Sequence, residues 1–236
     1  MREQGLARLS ETKLRKNDHD YIVMKFLVDD LAEVIPKYAF GSVLDIGCGN
    51  KPYEKLFSGS TAGYIGCDVV QSNQNKVDVI CEAVNLKFED AVFDTVFSTQ
   101  VIEHVEDPFT MLSEAYRVLK NDGIIIISAP FCWQLHEQPY DFFRYSKYGL
   151  EAMFRRNKLE ILELRPNGGK WAAIFQMNIN IIYSTFSKKT FLRRCVKFLF
   201  LHLKLTSLIN RLACWLDKKF PDDLLTLNYV IVGKKM

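Results

Sequence analysis

The six cysteines, Cys48, Cys67, Cys81, Cys132, Cys195 and Cys214, include no C-x-x-C pair. That spacing gives neither a zinc ribbon nor a readable disulfide frame, so the thiols are expected as small apolar residues of a reducing cytosol. No stretch of about eighteen uninterrupted apolar residues occurs, which argues against a spanning helix. The opening segment, MREQGLARLSETKLRKNDHD, lacks the apolar centre of a secretory signal. Internal repeats and low-complexity segments are missing too, and no metal-ligand set is read from the sequence. A helix-turn-helix, a zinc finger and an aromatic-basic RNA surface are also absent, so a nucleic-acid partner is not expected. Net charge is only +3, too small to call for a polyanion by itself. It is unevenly placed, however. From Ser187 to Met236 stand eleven Lys and Arg against three Asp, so that segment carries +8 and the remainder −5.

What is present fits one domain with an insertion: 236 residues, 48% of them hydrophobic. From His19 to Phe40, Ile22, Val23, Phe26, Leu27, Leu31 and Val34 recur at helical spacing. After Gly41 the pattern changes to short β-rich runs: SVLDIGC, YIGCDVV, VDVICE, DTVFSTQ, GIIIISAP, LEILELR and LNYVIVGK. Several are almost continuously apolar, as strands buried on both faces are. Between the fourth and fifth, PFTMLSEAYRVLKNDG reads as a helix ended by Asn121-Asp122-Gly123. The expected fold is therefore α/β, a mainly parallel seven-stranded sheet layered between helices. Its parts would be an N-terminal helical segment (1–40), a core (41–167), a helical insertion or lid (168–225) and a last strand (226–236). The insertion holds WAAIFQMNINIIYSTF and a basic stretch, 191–217, read as one amphipathic helix. On its wheel Arg193, Arg194, Lys197, Lys204 and Arg211 fall on one side, with Leu192, Cys195, Val196, Leu199 and Leu203 opposite. Such a helix suits a peripheral contact with an anionic membrane surface, or a lid with a solvated face.

The strongest local signal is VLDIGCGN, Val43 to Asn50. A buried strand ends in Asp45 and runs into Gly47 and Gly49 at a turn, where glycine allows positive φ and close approach of a ligand. Pro52 occupies the place of a third glycine, so the dinucleotide G-x-G-x-x-G reading fails. An acidic residue two places before the first of two glycines resembles motif I of class I S-adenosylmethionine-dependent methyltransferases. The stretch from VDVICEAVNLKF through TQVIEHV to RVLKNDG resembles the rest of that family's core, over about Ser42 to Leu150. The resemblance implies S-adenosylmethionine as cofactor, with Asp45, Gly47, Cys48 and Gly49 at the turn and Asp68 with Val69 at the tip of the second strand. A carboxylate there, nineteen residues after Gly49, suits the ribose hydroxyls. By the same match Glu82 and Ala83 would adjoin the adenine, and Thr99 and Gln100 the methionine end. Glu82 stands where the family more commonly has Asp.

For the acceptor, methyl transfer is an in-line displacement, so positioning supplies most of the acceleration and a general base helps a hydroxyl. Candidate residues are His104, His136, Asp141 and Arg144. His136 or Asp141 would take a proton, and Arg144 would hold an anionic group. The pattern H-x-x-P-x-D-x-x-R-Y-S, from His136, and GCGNKPY are similar to methyltransferases found with bacterial surface-polysaccharide enzymes. That implies O-methylation of a sugar, or of a lipid-linked sugar, in the cytoplasm or at its membrane face. The alternatives are a lipid or quinone-like acceptor, and a methyltransferase-like domain that binds without catalysis.

Overall fold

The computed structural model describes residues 9, 12–59, 61–186, 198 and 204–236. The chain enters through α1 (Tyr21–Tyr38), whose Ile22, Val23, Leu27, Leu31, Val34 and Ile35 form the buried stripe expected of its spacing. Seven strands follow: β1 (Gly41–Ile46), β2 (Thr61–Asp68), β3 (Val79–Ile80), β4 (Phe93–Thr99), β5 (Leu119–Pro130), β6 (Leu159–Asn167) and β7 (Asn228–Lys235). They form one sheet in the order β3-β2-β1-β4-β5-β7-β6. The first five pair in parallel, and β7 runs antiparallel between β5 and β6. Helices α2 (Pro108–Val118) and α3 (Lys147–Arg156) pack on one face, while α1 and a 3-10 turn at Glu54–Phe57 pack on the other. The parallel strands β1, β2 and β4 thus end at one edge, each releasing a loop there. In open α/β sheets that edge is where ligands bind.

Two elements differ from the sequence expectation. The run VDVICE makes only a two-residue strand, because the Asp78 carboxylate takes the Gly66 N–H of β2 (2.7 Å) in place of a longer ladder. The helix expected to continue to Asn121 stops at Val118. Its last carbonyls, on Arg117 and Val118, accept from Ala91 and Val92, and the fully buried Leu119 already pairs with Phe93 of β4.

The insertion packs against the domain entrance. Helices α4 (Lys170–Phe186) and α5 (Leu205–Lys219) share an apolar cluster with Ile22 and Val23 of α1. Asp217 of α5 accepts the N–H groups of Gly169, Trp171 and Ala172 and so caps α4. Gln176 and Asn210 donate to backbone carbonyls of His19, Lys16 and Asp18. The single basic helix expected over 191–217 requires correction. Lys204 sits at φ +53°, a left-handed conformation that breaks a right-handed helix, and α5 starts after it. Arg193, Arg194, Lys197 and their apolar counterparts up to Leu203 lie outside the described residues.

Candidate active site

The turn after β1 is built as its glycines require. Gly47 has φ +74° and donates its N–H to Cys67 O (2.8 Å); Gly49 has φ +51° and donates to Asp68 Oδ2 (3.1 Å). A Cβ on Gly47 would lie 2.4 Å from Cγ2 of Val101, so the side chain after β4 also depends on that glycine. Asp68 is almost fully buried at the tip of β2, and its Oδ1 accepts from Val69 N–H (2.8 Å). Both carboxylate oxygens are thereby oriented by backbone donors.

Asp45 is buried behind this turn. Burial pushes its carboxyl up to about 7, against the hydrogen bond that Tyr64 donates across 2.6 Å. Cys48 is buried beside it, and burial raises its thiol well above the ordinary value.

A cavity of about 1360 Å3 opens at this edge, lined by Gly47, Asp68, Val69, Glu82, Ala83, Val101, His104, Tyr140 and Phe142 among others. Five of the residues expected at the cofactor line it: Gly47, Asp68, Val69, Glu82 and Ala83. The other five, Asp45, Cys48, Gly49, Thr99 and Gln100, do not line it. Gly49 holds Asp68, while Thr99 and Gln100 gather on the buried hydroxyl of Ser128. Thr99 Oγ1 is 2.5 Å from Ser128 Oγ, and Gln100 reaches it with N–H (3.2 Å) and Nε2 (3.1 Å). No described residue of the insertion 168–225 lines the cavity. The cover comes instead from Tyr140 and Phe142 on the loop after β5.

That loop is fastened to a 3-10 turn at Ile102–His104. Phe142 N–H donates to Glu103 O (2.9 Å), and the Tyr145 hydroxyl to Ile102 O (3.0 Å). His104 Nδ1 lies 2.6 Å from Tyr140 O; a carbonyl only accepts, so Nδ1 carries the proton. The His136 ring packs edge-on against His104, centroids 4.6 Å apart. Glu103, which the sequence reading passed over between its two neighbours, is fully buried with neither carboxylate oxygen hydrogen-bonded. Burial pushes it up to about 8. The E-H-V motif carried its only sequence signal.

Asp141 and Arg144 do not take the roles expected of them. All five guanidinium donors of Arg144 are spent inside the loop. Nε binds Trp133 O, the two terminal nitrogens bind both Asp141 oxygens, and the rest reach Gln134 O and Phe143 O. No donor remains for an anionic substrate. The Asp141 side chain is 1% exposed. Burial alone would raise its carboxyl, but Arg144 and the His136 N–H hold it well below the usual carboxylate range. Both Asp141 oxygens are engaged by Arg144 and the His136 N–H, and the pair braces the loop from within.

Residues 44–127 match the family model described as a methyltransferase domain. An uncharacterized protein of Methanocaldococcus jannaschii is 30% identical over 157 residues, 62% of this chain and 71% of that protein. The 27-O-demethylrifamycin SV methyltransferase of Amycolatopsis mediterranei is 29% identical over 112 residues, and the match spans only 41% of either chain. Other relatives are named ubiquinone biosynthesis O-methyltransferase and probable tRNA methyltransferase 9B. Among solved structures, an S-adenosylmethionine-dependent methyltransferase from Archaeoglobus fulgidus superposes with a TM-score of 0.57 at 18% identity, over 89% of this chain and 94% of that one; this likeness concerns the fold. The chain thus carries a methyltransferase domain over residues 44–127 on the fold of the class I S-adenosylmethionine-dependent methyltransferases. Its cofactor is S-adenosylmethionine, and the residues present fit it. A glycine turn stands beside a buried, backbone-oriented carboxylate on the wall of a cavity large enough for cofactor and acceptor together.

Proposed function

We propose that the protein methylates an oxygen of a small polar acceptor, a sugar hydroxyl being the favoured class. One observation carries the reading. The cavity wall that holds Asp68 and Glu82 is continuous with the wall that holds His104 and Tyr140, so cofactor and acceptor would share one enclosure. The bound cofactor supplies an electrophilic methyl group on a sulfonium. Asp68 then accepts hydrogen bonds from the ribose hydroxyls with the lone pairs its backbone donors leave. Glu82 and Ala83 border the adenine. Val101, Tyr140 and Phe142 exclude water and hold the acceptor in line, which is where most of the acceleration arises. His104, with its proton fixed on Nδ1, presents Nε2 as the basic nitrogen of the acceptor side.

The test is transfer of labelled methyl from S-adenosylmethionine to free sugars, nucleotide sugars and lipid-linked sugars. Labelling of a sugar hydroxyl, with kcat reduced at least tenfold in His104→Gln, supports the reading. Labelling confined to a tRNA or to a non-hydroxyl acceptor contradicts it.

A second reading, action on a membrane-borne acceptor, is favoured by α5. Its inward face carries the small polar residues Thr206, Ser207 and Asn210, whereas Leu208, Leu212 and Trp215 are exposed at helical spacing, with Lys218 and Lys219 at the end. Apolar residues flanked by lysines suit the headgroup region of an anionic bilayer. Among the described residues, no helix is long and apolar enough to cross a membrane. Co-sedimentation with phosphatidylserine vesicles, lost in Leu208→Ser/Trp215→Ser, supports this reading. Equal recovery in the supernatant with and without vesicles contradicts it.

A further inference from the structure

Beside the cavity stands a donor set of which the methyl-transfer reading uses only His104. Glu103 is fully buried and both its carboxylate oxygens lack a hydrogen-bond partner. Burying an ionised carboxylate without donors is costly, so such a group stays protonated or meets a cation, and an ion bound here would displace the proton from Glu103.

Two imidazoles surround it. His104 Nε2 is 3.9 Å from Glu103 Oε1, and its ring is oriented by the Nδ1–H bond to Tyr140 O. His136 arrives from the separate loop, edge-on to His104, with Nδ1 3.2 Å from Asp141 Oδ2. Arg144 approaches that same nitrogen only at 3.5 Å, and its N–H groups are committed to nearer acceptors. One ring nitrogen bound to a carbonyl or carboxylate is the arrangement that orients a histidine to ligate through the other.

One donor atom from each of Glu103, His104 and His136 lies within 4.8 Å of the other two. Around a tetrahedral ion with bonds of about 2.1 Å, such donors are about 3.4 Å apart. Side-chain adjustments of about 1 Å would close the set on an ion, consistent with bond lengths of that order.

We infer that Glu103, His104 and His136 form a binding site for a divalent first-row transition cation, zinc being the type case. Two imidazoles and one carboxylate leave at least one coordination position open, the pattern of catalytic rather than structural ions. His104 also lines the main cavity, so the ion would adjoin the space assigned to the acceptor. The site rests on its donors alone, and a cation held there would occupy His104 Nε2, so at any moment that nitrogen either ligates the ion or serves as the base of the acceptor side.

The test uses the full chain free of a histidine tag and stripped with EDTA. It is titrated with Zn2+ by calorimetry and with Co2+ by visible absorption, while S-adenosylmethionine binding is measured on the same preparation. One equivalent of each ion is expected, with Co2+ ligand-field bands and a raised Tm. His136→Ala, a loop substitution, and Glu103→Gln should each weaken binding at least tenfold. Absence of saturable binding by folded protein overturns the inference, as does unchanged affinity in His136→Ala. If S-adenosylmethionine still binds in either case, the cofactor assignment stands and the cation site alone falls.

Discussion

Gly49 donates its backbone N–H to Oδ2 of Asp68 across 3.1 Å, so the turn after β1 and the tip of β2 are one unit. A carboxylate held this way keeps its geometry without a ligand, and changes in the turn are felt at the ribose position as well as locally.

Gly47 bears the tightest constraint in that unit. Gly47→Ala puts a Cβ at φ +74° and 2.4 Å from Val101 Cγ2. The expected loss is about 1–3 kcal/mol of stability, read as a lower urea midpoint at unchanged slope, with weakened cofactor binding. An unaltered midpoint would mean that neither the φ nor the Val101 contact matters.

Asp45 gives a pH signature. Burial holds its folded carboxyl at about 7, above its unfolded value of 3.8, so the native state binds more protons between those limits. The contribution is fully present below about pH 4 and is lost as pH rises through about 7. Relative to Asp45→Asn, the wild type should therefore lose stability from pH 4.5 to pH 8, by on the order of 3 kcal/mol. Urea midpoints for both proteins across that range check the sign; parallel curves would refute it.

Arg144 braces the loop that covers the cavity. Lysine keeps the charge but lacks the planar fork that reaches Trp133 O, Gln134 O, Phe143 O and both Asp141 oxygens. Arg144→Lys should cost about 1–3 kcal/mol and raise the acceptor KM while leaving cofactor affinity near wild type. A reduced kcat with unchanged KM and stability would instead place Arg144 at the reacting atoms.

Much of this was legible in the sequence because it is local. The periodicity of α1, the apolar strands, the two-glycine turn and Asp68 at a strand tip each depend on neighbours within a few residues. What failed was long-range. Asp78 replaces ladder bonds of β3 through its side chain, and Leu119 leaves the helical pattern because Phe93 pairs with it. The spacing of Asp141 and Arg144 suggested groups facing a substrate, but the carbonyls that absorb Arg144 come from a loop path that periodicity does not encode. Glu103 looked like any charged residue beside a histidine; its full burial arises only once the loop from His136 to Tyr145 folds over it.

The central claim is that the cavity beside Gly47 and Asp68 binds the methyl donor. Calorimetric titration of the wild type and of Asp68→Ala with S-adenosylmethionine, and with NAD as control, tests it most directly. The account predicts saturable one-to-one binding of S-adenosylmethionine, at least tenfold weaker in Asp68→Ala (about 1.4 kcal/mol or more), and no binding of NAD. A well-folded wild type that fails to bind S-adenosylmethionine, or an Asp68→Ala variant that binds it equally well, would contradict the account.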